Sequence, residues 1–418
     1  MQRYRYWLLP ITLFLVFSLA LADETQAPRN IILMISDGAG FNTFACAEYY
    51  EHGRAGEGVY ADFPVKLACS TYMLNKNGKP TGYDPRGTWK AFYNTTKKTQ
   101  TKTLPYPATD SAAAATALYT GVKTLSGRIS TDKGGRKLKT IGEYAKDDGK
   151  SVGIITSVQF SHATPATMAA HNISRNNYVA IAREMIGSNT ADVIMGCGHP
   201  EFDDNGKPIS ANQNESVKDR AKRYCYVGGE VYWNALKADP AAKGWTLITT
   251  RQQFEALADG KEVVPERLLG IPEVHKTLQY DRAGEGMGKQ TPTVPSLPTM
   301  TRGALRVLNQ NTRGFLLVVE GGAVDWANHG NNLGRMIEEQ VDFNHTVQAV
   351  KDWVEKHGGW EETLLIVTAD HECGYLWGPE SGPPAAFQRP INQGKGRLPG
   401  ANYFSNKHSN LLVPLLAR

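Results

Sequence analysis

Three apolar runs in this chain end abruptly in an acid. Asn30 to Ser36 runs into Asp37, Phe315 to Val319 into Glu320, and Leu364 to Ala369 into Asp370-His371. Runs of that length and β-branched content read as central strands of a parallel sheet. Ligands of open α/β sheets bind just beyond the carboxyl ends of the strands. The three segments are therefore expected to aim carboxylates at one rim. Adjacent bare carboxylates repel, so a rim built this way suits cations and points to metal-dependent hydrolysis.

Two further groupings carry chemistry. Asp110-Ser111-Ala112, followed by an alanine run, puts a hydroxyl at the start of a helix. Asp and Ser are ordinary N-cap residues there. A helix N-terminus also presents free N–H groups and a positive dipole end, which suits a phosphate that the serine could attack. No neighbouring base is evident, so metal activation is the natural route. The second grouping, Glu320-Gly-Gly-Ala-Val-Asp325-Trp-Ala-Asn-His329, holds two carboxylates and an imidazole within ten residues. A spacing of four puts Asp325 and His329 on one face if the turn is helical. Asp370-His371 at a strand end competes with a surface turn, and His408 by itself reads as a surface histidine. This oxygen and nitrogen mix suits zinc at the His-bearing positions and magnesium at an all-oxygen one.

The elements that must position these residues follow from patterning. Strands are expected at 30–36, 66–73, 152–157, 192–195, 315–320 and 363–369. Helices are expected near 43–52, from Ser111, at 141–148, 178–187, 300–310 and 335–356, with a final apolar run from Leu411 to Leu416. This alternation predicts an α/β fold, a single doubly wound and mostly parallel sheet flanked by helices. The domain is read as 23–418, with surface insertions near 75–103, 197–300 and 378–400. Gly38-Ala-Gly40 lacks the third glycine of a dinucleotide fingerprint.

Composition narrows the partners. The 418 residues carry a formal charge of +5, with no basic stripe that would argue for nucleic acid. Residues 1–22 read as a signal peptide: Arg3 and Arg5, an apolar stretch from Trp7 to Leu19, then Ala20-Leu21-Ala22. A retained anchor is the competing reading, but the stretch is shorter than the roughly 20 residues of a bilayer span. The expected location is periplasmic or secreted, with no membrane contact after cleavage. The five cysteines show no C-x-x-C spacing. Cys197 and Cys225 are read either as a pair closing the stretch between them or as free thiols.

The ordered motifs resemble the bacterial alkaline phosphatases from about Asn30 to Ala417. They are Asp37-Gly, Thr109-Asp110-Ser111-Ala112, His162-Ala-Thr164-Pro-Ala with Arg175 following, Glu320 to His329, Thr368-Ala-Asp370-His371-Glu, and Lys407-His408-Ser-Asn. The resemblance implies two Zn2+ and one Mg2+. One zinc would take Asp325, His329 and His408, and the other Asp37, Asp370 and His371 beside Ser111. Magnesium would take Asp37, Thr164 and Glu320. Arg175 would grip two phosphate oxygens in a bidentate fork, with Asp110, His162 and Trp326 supporting the site. The implied reaction is broad-specificity hydrolysis of small phosphate monoesters through a phosphoserine, formed and broken by two in-line displacements.

Against some relatives, His162 and Trp326 replace Asp and Lys, which implies looser magnesium binding. Cys373 stands where Thr is common, placing a thiol close to a zinc as a rival ligand or an oxidation target. Relatives usually continue beyond the position of Arg418, so Leu411–Leu416 is expected to form a poorly covered strand, and a homodimer is left open. The alternatives are a phosphodiesterase or another hydrolase of the superfamily, and a non-catalytic metal- or phosphate-binding protein.

Overall fold

The computed structural model describes residues 27–82, 93–94, 99–100, 108–210, 215–382 and 387–418. The proposed signal peptide and part of the 75–103 insertion lie outside them.

Nine strands form one sheet: β1 (Asn30–Ser36), β2 (Val65–Cys69), β3 (Ser151–Gln159), β4 (Val193–Cys197), β5 (Thr246–Ile248), β6 (Leu268–Gly270), β7 (Phe315–Gly321), β8 (Thr363–Thr368) and β9 (Val413–Ala417). Their spatial order is β2-β9-β8-β1-β7-β3-β4-β6-β5. Pairing is parallel from β8 through to β5, whereas β9 lies antiparallel to both β8 and β2. Along β1, Ile32 and Met34 pack into one hydrophobic cluster while Leu33 and Ile35 pack into the other. Burial on both faces is why this strand reads as an unbroken apolar run.

The Ile32 side is covered by α6 (Leu297–Leu308) and α8 (Leu333–Lys356), with α1 (Phe41–His52) beside them. On the opposite side lie α2 (Ser111–Thr120), α3 (Ile141–Asp147), α4 (Ala163–Ala169) and α5 (Tyr178–Gly187). A short helix, α7 (Ala323–His329), follows β7 directly. The alanines of α2 have a packing reason, since Ala112 and Ala115 share a cluster with Ala163 and Ala166 of α4. The start of α6 is set by Ser296, which accepts from Thr299 N, with proline in the first turn.

Three expectations change. The 197–300 stretch is not a surface excursion: β5 and β6 extend the main sheet, and three helices (217–224, 230–238 and 251–258) lie within it. Strands of three residues are too short to show a period of two. Cys197 and Cys225 are unpaired, as are the other cysteines. Burial explains Cys197, whose Sγ lies 3.5 Å from the Ser157 carbonyl oxygen. The C-terminal run is not left without cover, because β9 sits between β8 and β2 and Val413 is fully buried. It is β2 that forms the exposed edge.

Candidate active site and metal centre

Strand register brings the acids together. Ile35 of β1 pairs with Glu320 of β7 on one side and with Thr368 of β8 on the other, and Thr156 of β3 pairs with Glu320. The strands thus finish level, and Asp37, Glu320 and Asp370 emerge at one rim. The Gly-x-Gly after β1 exists for close approach. A Cβ on Gly38, whose φ is +70°, would meet Asp325 Oδ1 at 2.6 Å and the Asp325 Cα at 2.8 Å. Gly38 is also tied to each neighbouring segment. Its N–H donates to Asp370 Oδ1 (3.1 Å), and its carbonyl accepts from Asn328 Nδ2 (3.0 Å) and Cys373 N (3.0 Å).

Ser111 is the first residue of α2, held there because Asp110 caps the helix by accepting from Ala113 N. Its Oγ lies 3.3 Å from His371 Nε2, which is 3.2 Å from Asp370 Oδ2 and 3.6 Å from Asp37 Oδ1. A second convergence surrounds α7, where the spacing of four is realised as helix. His329 Nε2 is 3.3 Å from Asp325 Oδ2, His408 Nε2 is 3.4 Å from Asp325 Oδ1, and the two Nε2 atoms are 3.0 Å apart. The remote nitrogens face the Asn406 and Thr109 carbonyls at 2.8 Å each. Donation of Nδ1–H to those carbonyls leaves Nε2 as the free lone pair. Glu320 accepts from the Thr156 hydroxyl and faces Thr164 and Asp37.

The electrostatics are those of a cation site without compensation from protein groups alone. Burial, then the Asp370, Asp325 and Glu320 charges, push Asp37 well above the usual carboxylate range. Burial chiefly lifts Glu320 to about 7 and Asp370 to about 6. Burial also acts upward on Asp325, but His408 and His329 outweigh it and hold that group well below its usual range. Five buried oxygens, Asp37 Oδ1, Thr164 Oγ1, Glu320 Oε1, Asp325 Oδ1 and Asp370 Oδ2, lack hydrogen-bond partners. Buried polar atoms are normally satisfied, and cations would satisfy these. The donor set therefore fits metal ions, with mixed nitrogen and oxygen donors at the His-bearing positions and oxygen donors alone around Glu320.

Arg175 reaches the same cleft. Its Nη1 donates to Asp110 Oδ2 at 3.0 Å, and Asp110 in turn accepts from Gly127 N. The His162 ring meets Trp326 edge-on at 5.5 Å and stacks on Tyr178 at 6.0 Å. Burial, with Arg175 adding to it, lowers His162 to about 3, so this imidazole is neutral and brings no cation. The cleft has a volume of about 510 Å³, lined by Ser111, Arg175, Trp326 and Tyr280 among others. Tyr280 escaped sequence reasoning because it lies in a loop-rich stretch with no local signal. Thr156, mid-strand, was equally unmarked.

Among the described residues no helix is long and apolar enough to cross a membrane. The family model for alkaline phosphatase matches residues 28–397. The chain is 36% identical over 274 residues to alkaline phosphatase 4 of Bacillus subtilis (strain 168), covering 64% of this chain and 50% of that one. It is 30% identical over 354 residues to alkaline phosphatase 3 of the same organism, covering 83% and 61%. The chain thus spans about half to three-fifths of the length of these relatives. The cold-active alkaline phosphatase of a psychrophilic Shewanella species superposes with a TM-score of 0.64 at 26% identity, over 93% of each chain. A family match across most of the sequence and a superposition across nearly all of it agree, and the chain belongs to the alkaline phosphatase family.

Proposed function

We propose that the protein hydrolyses phosphate monoesters with Ser111 as nucleophile. The observation that carries this reading is the Ser111 Oγ at the N-terminus of α2, 3.3 Å from His371 and facing a cleft that also holds Arg175. Asp37, Asp370 and His371 would hold one zinc, Asp325, His329 and His408 a second, and Asp37, Thr164 and Glu320 a magnesium. When bound, these cations supply Lewis acidity that makes the serine and water nucleophilic and offsets charge on the leaving oxygen.

The chain's own residues do the positioning. Arg175, oriented by Asp110, offers two N–H groups to two phosphate oxygens in a planar fork. The free N–H groups at the start of α2 favour the same anion. Ser111 Oγ attacks phosphorus, the P–O bond to the alcohol breaks, and a phosphoserine forms. Water then attacks that phosphorus, the Ser111 Oγ–P bond breaks, and inorganic phosphate leaves while Arg175 retains its grip. The open cleft touches the leaving group through Trp326 and Tyr280, which supports broad monoester specificity. The apolar N-terminal segment and its A-x-A site support export.

The test is hydrolysis of p-nitrophenyl phosphate and bis(p-nitrophenyl) phosphate at alkaline pH, with Zn2+ and Mg2+ or with chelator. Acid-quenched samples are then analysed by mass spectrometry. Metal-dependent monoester turnover, lost in Ser111→Ala, with one phosphoryl group on the Ser111 peptide, is expected. Preference for the diester, or turnover surviving in Ser111→Ala, would overturn the reading.

A further inference from the structure

Cys373 is fully buried, and it faces the outer His-bearing site. Residues Glu372–Cys373 and His408–Ser409 form a short antiparallel ladder, in which Cys373 pairs directly with His408. Directly opposed residues in such a ladder project from the same face with their Cβ atoms about 4.5–5.5 Å apart. The thiol is therefore carried to the side on which the His408 imidazole lies. The Cys373 N–H is anchored on the Gly38 carbonyl at 3.0 Å, which ties it to the rim at Asp37. One ligand-type atom from each of Asp325, His329, Cys373 and His408 lies within 4.8 Å of the others. Asp325 Oδ1, on a side chain at least nine-tenths buried, has no hydrogen-bond partner in that cluster.

We infer that Cys373 is a fourth protein ligand of this site, making it an Asp-His-His-Cys set in place of the three-ligand set expected from the family resemblance. The inference rests on the metal-dependent reading above and deepens it. Binding forms the Sγ–metal bond while the thiol proton passes to water. A thiolate beside two imidazoles selects thiophilic cations, zinc and cadmium, over magnesium and manganese. Four protein donors would fill the coordination that zinc usually takes, leaving less room for a substrate oxygen than three donors would.

The deciding experiment is X-ray absorption at the zinc edge on the wild-type full-length protein, which needs no variant to fold. A sulfur shell at about 2.3 Å is expected, beside nitrogen and oxygen shells at about 2.0–2.1 Å. The companion measurement is cobalt substitution. The wild type should show a sulfur-to-cobalt charge-transfer absorption, absent in Cys373→Ser while the visible ligand-field bands persist. Zinc affinity by chelator competition should fall in that variant by more than the roughly 10–100-fold typical of an outer hydrogen-bonding partner. Zinc or cobalt bound with only nitrogen and oxygen neighbours would overturn the inference and leave the metal-dependent reading standing. Failure of the wild type to retain zinc or cobalt at all would overturn both. A charge-transfer band that survives in Cys373→Ser would assign the sulfur to another cysteine and overturn the inference.

Discussion

Replacing Gly38 by alanine should damage both the fold and the site, by an amount set by two separable terms. Gly38 has φ +70°, and a left-handed conformation costs a non-glycine residue about 1–2 kcal/mol. The added Cβ would also sit 2.6 Å from Asp325 Oδ1 and 2.8 Å from the Asp325 Cα, where ordinary contact begins at 3.4 Å. One of those neighbours is backbone, so no rotamer change relieves the clash. Overpacking of this kind costs about 1–3 kcal/mol, giving a total of about 2–5 kcal/mol for Gly38→Ala. Gly121, the C-cap of α2, supplies the control: its φ is +72°, and a methyl group added there would meet nothing within 4 Å. Gly121→Ala should cost only the conformational term. The assay is urea unfolding of both variants in chelator, comparing midpoints at equal slope. Opening the Oδ1 contact from 2.6 to 3.4 Å requires a shift of about 0.8 Å at Asp325. A misplacement of about that size at a reacting centre can cost up to 10²-fold in rate, so kcat/KM should fall steeply in Gly38→Ala alone. Equal destabilisation of the two variants, or wild-type kcat/KM in Gly38→Ala, would refute the argument from close approach.

Three other outcomes are expected. Arg175→Lys removes one arm of the planar fork, and loss of a charge-assisted bond of about 1.5–3 kcal/mol should raise KM roughly 10–100-fold in steady-state assays; an unchanged KM would mean that Arg175 does not hold the phosphate. Adding Zn2+ at 100 times its dissociation constant to chelated protein should raise the unfolding free energy by about 2.7 kcal/mol, because it compensates the crowded Asp37, Glu320 and Asp370 carboxylates; an unmoved urea midpoint would contradict that. Burial lowers His199 from 6.5 to about 4, away from the site and against Trp233 and Phe202. Unfolding then takes up a proton between those values, so stability is full above about 6.5 and falls as pH drops towards 4, by on the order of 3 kcal/mol. The slope of unfolding free energy with pH over that window should flatten in His199→Gln, and an identical slope would assign it to other groups.

The rim of carboxylates was legible because its signals are local. β1 and β7 are buried on both faces, and β8 is buried on one face and half-buried on the other. All three therefore read as apolar runs, and each acid follows at a strand end where the polarity changes abruptly. The cap at Asp110-Ser111 and the one-turn spacing of Asp325 and His329 are likewise properties of a few adjacent residues. Tertiary structure decided what depends on distant segments meeting. Gly38 must be glycine because Asp325, 287 positions later in the chain, packs onto it, and no local pattern carries that information. Tyr280 reaches the cleft from a loop, Asp110 restrains Arg175 across 65 residues, and β5 and β6 are too short to announce themselves. The place of Cys373 after Asp370-His371-Glu372 marks it as a rival ligand, but only the fold decides which site it joins. There a two-residue ladder sets it opposite His408, beside Asp325 and His329. The sequence leaves that choice open because strand pairing is specified by contacts between segments rather than within them.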